Sequence, residues 1–211
     1  ILATKIVGNG FKYIRNGGPI TKETIKAALY GSLKRLKTDY IDLYQLHWPN
    51  RGSYHFRSYW NYKPEKQDSK NIKDEFLDIL NTLNDFKKEG LIRAIGVSNE
   101  TCWGVMKLNE IIKEIENLCI ASIQNEYSLM CRLFDNDFNE LSINENIPLL
   151  AYSPLAFGYL TGKYRNNNLP EKSRMKLFKD FTRYKNENGQ KAIEEYYNLS
   201  KKFNVDFTQM S

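Results

Sequence analysis

Short apolar, β-rich runs alternate along this chain with longer segments whose apolar residues recur at helical spacing, and that alternation restricts the folds open to it. Ile1 to Lys5 reads as a buried strand, followed by a Gly- and Asn-rich loop through Gly18-Pro19. Thr21 then reads as the N-cap of a helix that carries Ile25, Ala28, Leu29, Leu33 and Leu36 on one side. Tyr40 to His47 is a second strand, rich in β-formers and too short for a helix. A long polar and aromatic loop from Pro49 to about Asn71 leads to a helix over Asp74 to Glu89, with Phe76, Leu80, Leu83 and Phe86 in one stripe and Gly90 closing it. Further strands open at Ile92, Ile120 and Pro148, about 28 residues apart, with helices over Trp103 to Ile115 and Phe134 to Ile143 between them. A basic loop and a helix from about Gln190 to Phe203 follow.

Five strands, each followed by a helix, imply parallel pairing with right-handed crossovers. No Gly-rich phosphate fingerprint follows any strand, which counts against a Rossmann sheet. The regular βα period fits an α/β, (β/α)8 TIM barrel better. Five strands are visible where eight would close it, so residues 1–211 read as one incomplete barrel domain, about strands 3 to 7. The ends agree with that expectation. The chain opens on the apolar run Ile1-Leu2-Ala3-Thr4-Lys5 without an initiator Met and stops at Gln209-Met210-Ser211, so it reads as the recorded part of a longer protein, and no targeting segment is assessable.

Composition narrows the partners. Lys and Arg number 31 against 25 Asp and Glu, a net charge of +6, but the lysines are scattered among acids, which argues against nucleic-acid binding. No apolar run approaches the roughly 18 residues of a membrane span. Cys102, Cys119 and Cys131 are an odd, sparse set without metal-ligand spacing, as expected of thiols in a reducing compartment and hence a cytoplasmic protein. Two histidines without clustered carboxylates make a poor metal site.

In a TIM barrel the functional residues stand where strands end. Here those are Lys5, His47, Ser98 with Asn99, Gln124 with Asn125, and Tyr152 with Ser153. Each has an ordinary alternative: Lys5 as a strand end reaching solvent, His47 as a half-buried histidine, Ser98 and Asn99 as helix caps, Tyr152 as core. Gln124 has no capping rationale. A hydroxyl and two carboxamides together suit a ligand that bears a carboxamide, and Tyr152 offers a flat face for an aromatic ring, which points to a nicotinamide. His55, in the polar loop, receives no chemical role.

The runs Ile1-Leu2-Ala3-Thr4-Lys5, Asp39-Tyr40-Ile41-Asp42-Leu43-Tyr44-Gln45-Leu46-His47-Trp48-Pro49, Ile95-Gly96-Val97-Ser98-Asn99, Gln124-Asn125-Glu126-Tyr127-Ser128 and Ala151-Tyr152-Ser153-Pro154-Leu155 resemble the aldo-keto reductase superfamily, in its order and over essentially the whole chain. The long loop and Gly158-Tyr159-Leu160-Thr161-Gly162-Lys163-Tyr164 resemble most the branch that holds Tas-type reductases and potassium-channel β subunits. The resemblance implies reversible hydride transfer from NADPH to a small-molecule aldehyde or ketone, with a catalytic tetrad of Asp, Tyr, Lys and His. Lys5 matches the lysine and His47 the histidine. The Asp and the acid Tyr match nothing here and would lie upstream, so the 211 residues alone are expected to be inactive.

For the cofactor, the resemblance implies Ser98, Asn99 and Gln124 on the carboxamide and Tyr152 stacked on the nicotinamide. Ser153, Pro154, Leu155, Ala156 and Phe157 would line the pyrophosphate and ribose, and Lys163 and Arg174 would face phosphates. The ordinary alternative for those two is a solvated basic loop. Trp48 would face the substrate, with the loop from Arg51 to Asn71 covering it. NADP(H) rather than NAD rests on the resemblance alone. The rivals to a reductase are a regulatory NADP-binding protein of the β-subunit kind and an inactive truncated barrel. His47 favours the reductase, because the β-subunit branch departs from His at that position.

Overall fold

Four parallel strands lie side by side in chain order: β1 (Ala3–Ile6), β2 (Ile41–Leu46), β3 (Ile92–Ser98) and β4 (Ile120–Gln124). Helices α1 (Lys22–Leu36), α2 (Ser69–Lys88) and α3 (Cys102–Ile112) make the crossovers that parallel pairing requires. The computed structural model describes residues 1–211 throughout, in two compact units. The sheet belongs to the first, Ile1–Asn125 with Glu140–Leu150; the second is Glu126–Asn139 with Ala151–Ser211.

The strand register decides which side chains share a face. Thr4 pairs with Tyr44 and Tyr44 with Ile95, while Ile6 pairs with Leu46, Leu46 with Val97, and Val97 with Ile123. Because side chains alternate along a strand, these residues form one face, apolar over this stretch apart from Thr4 and the Tyr44 hydroxyl, with the Asp42–Arg93 ion pair where β2 and β3 begin. Here α1 packs on β1 and α2 on β3, and Ile6, Tyr44, Leu46, Ile95, Val97 and Ile123 are buried. The opposite face carries Lys5, Gln45, Gly96, Ser98 and Gln124, a polar row in the middle of a sheet.

Gln124 reaches that row through an irregularity. Ile95 pairs with Ile120, yet two residues later Val97 pairs with Ile123, so β4 contains one extra residue. In regular register Gln124 would fall on the helix-covered face; the bulge brings it opposite Ser98 instead.

The helices form where apolar spacing and caps coincide. Thr21 caps α1 in a capping box with Thr24, and Ile25, Leu29 and Leu33 face inward. α2 starts at Ser69, earlier than its apolar stripe implies, because the Asp68 carboxylate accepts from the N–H groups of Lys70 and Asn71 at 3.0 and 3.3 Å. No helix is long and apolar enough to cross a membrane.

The expected fifth strand, Pro148 to Tyr152, is not a continuous strand. It makes only isolated parallel bridges, Ile123 with Leu149 and Glu126 with Tyr152. On that edge of β4 the Ile123 N–H donates to the Pro148 carbonyl at 3.0 Å and its carbonyl accepts from the Leu150 N–H at 2.8 Å, but these bonds do not extend into a ladder. The expected helix over Phe134 to Ile143 is a 3-10 turn at Leu133–Asp135 followed by α4 (Asp137–Asn144).

The segment read as a basic loop is organised structure. It holds α5 (Arg174–Leu177) and leads into α6 (Glu187–Lys202) and α7 (Phe207–Met210). Ala156, Tyr159, Leu160, Tyr164, Met175, Tyr184, Ile193 and Phe207 form the apolar core of the second unit.

Candidate active site

On the polar face of the sheet, Lys5 stands in register with Gln45, and His47 follows directly after β2. The His47 N–H donates to the Ile6 carbonyl at 2.7 Å, which extends the β1–β2 pairing and fixes the histidine beside the end of β1. Burial lowers the Lys5 ammonium below the ordinary lysine value. Burial, and then the positive charge of Lys5, pull the His47 imidazole down to about 4. Lys5 and His47 are therefore electrostatic neighbours, and His47 is neutral at physiological pH.

β3 ends on Ser98 and Asn99, both buried and tightly engaged. The Ser98 hydroxyl donates to the Gln124 carbonyl at 2.7 Å. Asn99, with a left-handed φ of 52°, donates from Nδ2 to the His47 carbonyl and to Ser98 Oγ, each at 3.0 Å. This side chain couples the ends of β2 and β3 while its own N–H ties β3 to β4. Ser98, Asn99 and Gln124 are thus brought together with His47 through direct hydrogen bonds. Gln124 Oε1 is buried and accepts no hydrogen bond, a costly state for a polar atom. A carboxamide NH2 would satisfy it. Ser98 has spent its single proton and Asn99 both of its amide hydrogens, so each can only accept. With that restriction, the acceptors fit the NH2 of a nicotinamide amide.

Trp48 packs among aromatic rings rather than standing alone. Its ring centroid is 5.3 Å from Phe11, 5.7 Å from Phe56 and 4.8 Å from His47, and its indole N–H donates to the Asn9 carbonyl at 2.9 Å.

Sequence reasoning missed what fastens the long loop. Arg51 forms an ion pair with Glu100 through both nitrogens, and the two side chains are only 6% and 4% exposed. Arg51 Nη2 also donates to Thr101 Oγ1 at 3.1 Å, and its guanidinium lies 5.3 Å from the ring centroids of both Phe76 and Trp103. Gly104 leaves room for the pair: a Cβ there would run into Glu100 and Arg51. His55, given no role from sequence, is 7% exposed and hydrogen-bonds through Nε2 to the Glu100 carbonyl at 3.0 Å. The available signal was an acid directly after Ser98-Asn99 with an arginine and a histidine in the preceding loop.

Burial also brings His55 to about 4. His47 and His55 both bind protons more weakly folded than unfolded, so the unfolded state takes up protons first as pH falls. The protein should be fully stabilised above about pH 6.5 and lose stability from there down through pH 4, on the order of 1–3 kcal/mol from the better-buried His55. Urea midpoints measured at pH 7, 5.5 and 4.5 test this, and His55→Gln should flatten the slope. A midpoint independent of pH over that range would contradict it.

In the second unit, Tyr152 is partly buried and pairs with Glu126, and its carbonyl accepts from the Tyr127 N–H at 3.2 Å. The chain then turns sharply: Ser153, Ala156 and Phe157 have φ of 57°, 46° and 58°, and Gly158 has 98°. Between them Pro154 is exposed and Leu155 partly buried, while Ala156 is fully buried. Gly158 sits at a φ of 98°, where any side chain would strain the backbone. Lys163 is exposed with Nζ 5.2 Å from the Tyr164 ring centroid, and Arg174, also exposed, lies 5.3 Å from that of Phe157. Lys163 and Arg174 are thus both exposed and both close to this turn.

Comparison with known proteins accords with the geometry of both units. The sequence pattern of the aldo/keto reductase family matches residues 1–211. The chain is 41% identical to Protein tas of Escherichia coli over 214 aligned positions, covering all of this chain and 61% of that protein. It is 36% identical to an aldo-keto reductase of Babesia bovis, covering 95% of this chain and 74% of the relative, and 30% identical to glyoxal reductase of Bacillus subtilis, covering 82% and 54%. It spans about three-fifths of the length of the Escherichia coli relative. The chain belongs to the aldo/keto reductase family.

Proposed function

We propose that the protein containing this chain is an NADP(H)-dependent reductase of small-molecule aldehydes or ketones, and that residues 1–211 are part of its (β/α)8 barrel. The observation that carries the reading is a neutral His47 beside Lys5 on the polar sheet face, next to the Gln124 carboxamide with its unpartnered oxygen. When bound, the reduced nicotinamide supplies a hydride. This chain's own groups prepare the carbonyl. His47, uncharged and fixed by its backbone, donates a hydrogen bond to the carbonyl oxygen and orients it. Lys5 supplies positive charge where negative charge develops, and lowers the pKa of a phenolic acid. No residue of this chain is assigned as that acid.

Gln124 accepts from the carboxamide, Asn99 and Ser98 shape the same subsite, and Tyr152 stacks on the ring. Ser153 to Phe157, with Lys163 and Arg174, meet the pyrophosphate and ribose. Trp48 faces the substrate, and the loop from Arg51 to Asn71 covers it. The fixed Arg51–Glu100 pair supports a loop held in place.

The test is loss of NADPH absorbance with 4-nitrobenzaldehyde, using the full-length protein, with NADH in parallel. Consumption with NADPH is expected, and none from residues 1–211 alone. Tight NADPH binding without turnover of any of a panel of aldehydes and ketones would favour the regulatory alternative, and the absence of both would overturn the proposal.

A further inference from the structure

The left-handed turn at 153–158 needs an explanation, because non-glycine residues keep such backbone only when their surroundings over-determine it. The surroundings here centre on Glu126. Its backbone pairs with Tyr152 at the start of the turn. Its carboxylate accepts from Arg183 Nη1 at 2.6 Å and from the Tyr184 hydroxyl at 2.7 Å. The Arg183 and Glu126 side chains are 14% and 10% exposed, so this is a largely desolvated pair. The Arg183 guanidinium then lies 4.9 Å from the Phe157 ring centroid, and Phe181 packs on the same ring at 4.6 Å.

The far side of the clamp is equally fixed. Tyr184 has a φ of 68°, unfavourable for a bulky residue. Gln190 Nε2 donates to its carbonyl at 2.7 Å, and a Cβ on Gly189 would sit 2.8 Å from that oxygen. One carboxylate thus ties the Tyr152 pairing and the 181–184 segment to Phe157. Two guanidiniums flank that ring. Arg183 is neutralised by Glu126, whereas no carboxylate pairs with the exposed Arg174. Arg174 is the cation left for a phosphate; Arg183 is committed to shaping the turn.

We infer that Glu126 is a positioning residue for cofactor binding: through Arg183 and Tyr184 it holds Phe157 and sets the turn at 153–158. This rests on the reading of Ser153 to Phe157 as cofactor contacts. The experiment uses full-length protein, NADPH fluorescence titration, turnover at saturating NADPH, and melting without cofactor. Glu126→Gln and the milder Tyr184→Phe should each weaken NADPH binding roughly tenfold. kcat at saturation should stay within about twofold. Arg183→Lys, which keeps the charge but loses the planar stack, should fall between them and wild type. Unchanged NADPH affinity in Tyr184→Phe and Glu126→Gln, whatever their melting temperatures, would overturn the role of Glu126. Failure of the wild-type protein to bind NADPH would instead overturn the cofactor reading itself.

Discussion

Replacing Lys5 by Met in the full-length protein should lower aldehyde reduction by about 10²–10⁴-fold while NADPH still binds. Met keeps most of the aliphatic length, so β1 and its pairing with Gln45 survive, and only the cation is removed. Two effects coincide in the loss. The developing negative charge on the carbonyl oxygen loses a partner in a desolvated site, where charge is worth more than in water. The phenolic acid loses the neighbour that lowers its pKa. His47 provides an internal readout. Lys5 helps to depress its pKa, so in Lys5→Met the imidazole should titrate higher than about 4, visible by NMR. Turnover within a few-fold of wild type would remove Lys5 from the chemistry.

The second large effect concerns stability. Glu100→Ala should destabilise the protein by about 3–5 kcal/mol, measured as a lower urea midpoint, because it leaves the Arg51 guanidinium buried without its counter-charge. Against a total stability of about 5–15 kcal/mol, that is enough to leave a sizeable unfolded population. Arg51→Met combined with Glu100→Leu should recover much of the loss, since the site is walled by Phe76 and Trp103 and suits apolar side chains. A loss below about 1 kcal/mol in Glu100→Ala would mean that the pair is solvated and does not fasten the loop.

Where a single periodicity governed a segment, the sequence was readable. The stripe from Phe76 to Phe86 and the cap at Thr21 predicted α2 and α1 because each depends on neighbours three or four residues away. Lys5, His47, Ser98 and Gln124 were legible as strand-end residues, and the structure places all four at strand ends. Asp68 was not read as a cap because it lies in a polar loop where Asp is unremarkable. The Pro148–Tyr152 segment was over-read: its composition is strand-like, but only isolated bridges form along it. The pairs Arg51–Glu100 and Arg183–Glu126 join residues 49 and 57 positions apart, and no local pattern announces them.

The extra residue in β4 has a consequence for comparing sequences. Ile120 and Ile123 are both buried and apolar, so hydropathy alone does not register the residue between the two pairings. Remove Ala121, and the strand would pair regularly with the facing beyond that point unchanged, Ile123 still opposite Val97 and Gln124 still opposite Ser98. A one-residue gap in a relative at this place would therefore leave the site as it is, whereas a relative that kept the residue but paired in regular register would turn Gln124 toward the helices.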